Sequence, residues 1–169
     1  DGSIELFDFS EAHRFVLYGA AVLPILIFHA IREKDVETKR FLMIYFSLGW
    51  MWVYLGRWVL SDFANPTSWP LHLCNTAMFL IPLCLIFRMQ RLFNFCLFIN
   101  VMGSAIAMFM AEDLGYVNAI ATERVSYWLN HYAAFFMPLL LVALKIFKRP
   151  KFREWCWAVA AFCVYFFGI

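Results

Sequence analysis

The chain has 169 residues, of which 64% are hydrophobic and 15% charged, with 20 Phe, 7 Trp and 7 Tyr; that composition excludes an ordinary soluble domain and marks an integral membrane protein. A net charge of +2 argues against nucleic acid as a partner, because phosphate binding gathers Lys and Arg on one surface, whereas here the charges serve topology. The five cysteines, at 74, 84, 96, 156 and 163, form no C-x-x-C pair and lie in apolar runs, so they indicate neither a zinc site nor a disulfide framework, and most read as small core residues.

The chain opens with "DGSIELFDFSEAH", acidic and amphipathic and without the basic n-region of a signal peptide, so the first apolar run reads as a retained span. Apolar runs follow at about 15–31, 41–60, 70–87, 92–111, 125–147 and 155–169, with Arg57 and Lys145 the charges inside these limits. Their lengths suit helices crossing about 30 Å of hydrocarbon, and no ten-residue alternation of a barrel strand occurs. The sixth run is short, so its helix either tilts and begins earlier or is completed beyond Ile169. The expected architecture is all-α: one transmembrane domain, residues 1–169, forming a polytopic bundle of six transmembrane helices.

Eleven of the fourteen Lys and Arg lie in "REKDVETKR", in "RMQR" and between Lys145 and Arg153. By the positive-inside rule these three connections face the cytoplasm, and both termini lie outside. Asp62, Glu112, Asp113 and Glu123 gather at the opposite ends. Pro24, Pro82 and Pro138 fall in the first, third and fifth runs without a repeat around them. The fourth presents Asn100, Ser104, Ala107 and Ala111, with Gly103 adjacent, a small-residue stripe that reads first as a helix-packing seam.

With this topology the polar groups converge at one level. His13 opens the first helix, Arg57 nears the outer end of the second, and His72, Cys74 and Asn75 open the third. Glu112 and Asp113 close the fourth, and Asn130 and His131 sit in the second turn of the fifth. Intramembrane ionisable groups are costly and face a bundle interior or a watery cavity, so the expectation is a polar pocket open to the outer leaflet. The opposing reading makes Arg57, Glu112, Asp113 and His13 interfacial groups and the asparagines partners that satisfy the histidines. Cys74 lies about one turn in from a helix opened by Trp69-Pro70, where the N-terminal partial charge suits an anionic nucleophile. Residues two apart on a helix point about 200° apart, so His72 cannot serve as its base, and a Cys–His pair needs His131 or His13.

The block "PLHLC" (residues 70–74), the early His13 and "WLNHYAAFFMPLLL" resemble the YwaF-like family of bacterial six-helix integral membrane proteins. That family is similar to eukaryotic multi-pass membrane proteins that include a phospholipid acyltransferase acting through a cysteine. It is more distantly similar to membrane hydrolases of fatty-acid esters. The resemblance implies Cys74 as the acyl-accepting nucleophile and His131 as its base, in a bacterial plasma membrane.

The expected function is thus Cys/His-dependent lipid acyl transfer or acyl-ester hydrolysis. Cys74 and His131 would be catalytic, and His13, Arg57, His72, Asn75, Asn130 and Glu112 would bind substrate. Membrane lipids are the partners, and no metal or cofactor is called for. The alternative, from another class, is a non-enzymatic membrane component: a small transporter, a ligand-binding protein or an accessory subunit bound to other membrane proteins.

Overall fold

The computed structural model describes residues 11–61, 73–109 and 122–168. Six helices occur among them: α1 (Glu11–Ile31), α2 (Val36–Ser61), α3 (Leu73–Phe87), α4 (Gln90–Phe109), α5 (Thr122–Ala143) and α6 (Phe152–Gly168). No strand occurs among the described residues. One helix, Gln90–Phe109, is long and apolar enough by itself to cross a membrane, and the apolar stretches Ala21–Ile31, Asn75–Phe87 and Tyr127–Ala143 are shorter.

The ends of these helices have local causes. Asp35 caps α2: its Oδ1 accepts the Thr38 backbone N–H at 2.9 Å, satisfying one of the donors that a helix start leaves unpaired. Those bonds favour the ionised carboxylate and hold Asp35 below its ordinary pKa, the Thr38 side chain contributing most. At the start of α6 the Glu154 carboxylate reaches back to the Lys151 backbone N–H at 2.7 Å, the reciprocal half of a capping box. That cap begins α6 at Phe152, three residues before its apolar run, so the sixth helix does begin earlier.

The fifth apolar run reaches 147, but α5 ends at Ala143. Lys145 adopts φ 60°, and the Ile146 and Phe147 backbone N–H groups fold back onto the Leu141 carbonyl at 3.0 and 3.3 Å. This is a Schellman stop, which exchanges further helix for a hydrophobic contact between the residue past the cap and the last turn. Ile146 and Phe147 are buried as a result, and the Phe147 ring stacks on Phe93 of α4 at 4.2 Å. Arg88, at φ 56°, turns α3 into α4 in the same way, with Met89 N–H bonded to the Cys84 carbonyl at 3.1 Å.

The three connections so made are tied together at one end of the bundle. Glu37 accepts from Arg40 at 2.8 Å and from Arg88 at 3.0 Å, joining the start of α2 to the α3–α4 turn. Gln90 exchanges two bonds of 3.0 Å with the Lys148 backbone, joining that turn to the segment before α6. Consecutive helices α2 to α6 therefore run antiparallel.

α4 packs on α3, α5 and α6, and α5 packs on α1, α2, α3 and α4. The interior is apolar, with Met78, Ile81, Leu85, Phe93 and Leu141 fully enclosed. The outside is apolar too: Tyr18, Leu26, Tyr45, Trp52 and Val164 are all exposed. Helices hydrophobic all round are at home in lipid, where association rests on packing and internal hydrogen bonds. Cys84 and Cys96 are core residues as expected, whereas Cys156 and Cys163 lie on the exposed face of α6.

Candidate functional site

A buried polar cluster joins α2, α3 and α5. The indole N–H of Trp50 donates to Asn130 Oδ1 at 3.2 Å, and the Asn130 amide donates to Asn75 Oδ1 at 2.6 Å. All three residues are buried, Asn130 at 1% exposure. An amide in hydrocarbon needs partners for both ends, and Asn130 finds them on two different helices, so it specifies how α2 and α3 seat on α5.

His131, also buried, is satisfied differently. Had its role been purely structural, the asparagines were its expected partners. Instead its Nδ1 lies 2.7 Å from the Tyr127 carbonyl, one turn back on its own helix. A carbonyl oxygen only accepts, so Nδ1 carries the proton and Nε2, on the far side of the ring, keeps a lone pair. The Tyr127 ring packs against the imidazole at 4.1 Å between centroids, and its hydroxyl donates to the Ala107 carbonyl of α4 at 2.9 Å. That bond locks the histidine's own turn to the small-residue stripe. Deeper along the stripe, Asn100 and Ser104 are 2% and 0% exposed, and neither Asn100 Nδ2 nor Ser104 Oγ has a hydrogen-bond partner among the described residues.

Asn75 and Asn130 are thus buried and bonded to each other across the α3–α5 contact, and His131 is buried beside Tyr127 of its own helix. Cys74 precedes Asn75 on α3, and its backbone alone is described; the same holds for His13 on α1 and Arg57 on α2. His72 and Glu112 lie outside the described residues. Among the described residues no three His, Cys, Asp or Glu side chains lie close enough to share a metal ion. Trp50 and Tyr127 were missed by sequence reasoning. The signal for Trp50 was available, because an indole N–H midway along an apolar run must find an acceptor.

An all-helical bundle, apolar on its outer face and holding an interior polar cluster, defines a membrane protein. The profile of the TMEM164 family matches residues 8–169, and the chain belongs to that family. No curated relative and no solved structure matches the chain.

Proposed function

We propose that this protein is a polytopic membrane enzyme of lipid acyl chemistry, a Cys/His-dependent acyltransferase or acyl-ester hydrolase. In this reading six spans place a polar pocket toward the outer leaflet of a bacterial plasma membrane. The observation that carries it is the Asn130–Asn75 bond of 2.6 Å, because Cys74 and His131 are the chain neighbours of that buried pair. Support comes also from the His131 tautomer, whose Nε2 is left as a base. The resemblance of "PLHLC" to the YwaF-like family supports Cys74 as nucleophile, and the three tied, cation-rich connections support the topology.

The chemistry then runs as nucleophilic catalysis. His131 Nε2 takes the Cys74 thiol proton, and the thiolate attacks the ester carbonyl of a lipid. The tetrahedral intermediate expels the lipid alcohol, which leaves with the proton held by His131, and a thioester remains. A second lipid hydroxyl, or water, gives its proton to His131, attacks the thioester and releases the thiolate. Asn75, whose Oδ1 is held by Asn130, serves the oxyanion with its amide N–H groups. His13, Arg57, His72 and Glu112 belong to the headgroup end of the pocket.

Lipid analysis of cells with and without the protein identifies the ester, and the purified protein is then assayed on it. Cys74→Ala is expected to abolish turnover, and His131→Ala to lower it by about 10²–10⁴-fold, the usual worth of a general base. A folded Cys74→Ala protein with the wild-type rate overturns the reading. The non-enzymatic alternative, a transporter, binding protein or accessory subunit, draws on Trp50, Asn130 and Asn75 satisfying one another. Absence of any ester turnover by wild type selects it.

A further inference from the structure

A groove of about 340 Å³ runs between α1, α2 and α5. It exists because α1 packs most closely against α5, so that α1 and α2 become two walls of a trough with α5 at its base. Met43, Trp50, Met137 and Leu140 form a buried floor, while Leu23 and Val53 at the rim are exposed to the surroundings of the bundle. No lining residue is charged and the wall is almost wholly apolar. The one polar atom of the floor, the Trp50 indole nitrogen, is turned to Asn130. Along α5 the lining runs from Leu129 to Leu140, about 16 Å at the helical rise.

We propose that this groove seats a single acyl chain of a membrane glycerophospholipid. Two features select that occupant. The groove opens sideways onto the apolar face of the bundle, so a chain enters without crossing water. One end, at Leu129 and Trp50, adjoins the polar cluster in which Trp50 and Asn75 bond Asn130, and the rest of the lining is almost wholly hydrocarbon. An ester joined to a long chain has that same polarity gradient. The chain lies with its carboxyl end near Trp50 and Asn130 and its methyl end near Met43 and Leu140; this orientation rests on the acyl-chemistry reading, while occupancy does not.

Gly49 keeps the groove open. It lines the trough, and a Cβ built there meets no atom within 4 Å. The first atom of a side chain at 49 therefore has open space on the groove side, and replacing a mid-helix glycine favours the helix.

The test uses the full chain in phosphatidylcholine nanodiscs doped with a phosphatidylcholine bearing a diazirine near the methyl end of one acyl chain. Irradiation is expected to label Met43, Met137 and Leu140, and a diazirine nearer the carboxyl end is expected to shift labelling toward Leu129. Gly49→Leu should cut groove labelling at least about fivefold by removing the chain's contacts with the floor. Labelling of Trp52, exposed on the same helix and outside the groove, should stay unchanged. Gly49→Ala, which fills little of the space, should label as wild type. Equal labelling of Trp52 and the floor, insensitive to Gly49→Leu, overturns the inference and leaves only annular lipid. Groove labelling without ester turnover refutes the acyl reading alone. Cys74-dependent turnover with labelling unmoved by Gly49→Leu refutes the groove alone.

Discussion

Asn130 spends both ends of its amide on other helices, and neither Trp50 nor Asn75 has another bond described to replace it. Removing it leaves an indole N–H and an amide oxygen unpaired in the interior, at about 1–3 kcal/mol. Asn130→Ala should therefore lower stability by about 2 kcal/mol in reversible unfolding from detergent or bicelles. Asn75→Leu orphans one donor and should cost less. The double variant should lose less than the two single losses together, by about 0.6 kcal/mol, the usual strength of an interhelical side-chain bond in membranes. Strict additivity would show that the bond contributes nothing. The two asparagines and the histidine stood out in the sequence as polar groups in hydrocarbon. Their pairing did not, because which of several buried amides meet depends on helix rotation.

At the scale of the elements, the apolar runs located all six helices, and the disagreements fall at their ends. α5 stops at Ala143 because Lys145 enters the left-handed region and returns Ile146 and Phe147 to the core. Nothing in "ALKIFKRP" announces that stop, since glycine is its ordinary signal and lysine stands in the place. A non-glycine residue held there carries about 1–2 kcal/mol of backbone strain. Lys145→Gly should relieve it and raise stability by about 1 kcal/mol, read as a higher midpoint of thermal unfolding in detergent. A lower midpoint would mean that the lysine side chain contributes more than its backbone costs.

For the whole molecule, the bonds of Glu37 with Arg88 and of Gln90 with Lys148 gather three connections, rich in Lys and Arg, at one end. If that end is cytoplasmic, single cysteines introduced as Glu33→Cys, Met89→Cys and Lys148→Cys in a cysteine-free background should react with an impermeant maleimide only after the membrane is opened. Labelling of any of the three from outside intact cells would reverse or break the six-span arrangement. The same arrangement leaves α1 resting on α5, and so makes the lateral groove a consequence of the bundle's packing.

Composition alone determined the membrane class, because no soluble fold accommodates this much exposed hydrocarbon, and the spacing of apolar runs and cations determined helix number and order. Residue types at membrane depth singled out Asn75, Asn130 and His131 as buried polar groups. Only the tertiary structure decided that Trp50 completes the amide pair and that Tyr127 supplies the carbonyl for His131. It alone decided that a groove opens beside Gly49. Those outcomes depend on the rotation and spacing of helices hydrophobic on every side, whose sequences carry little record of which face meets which.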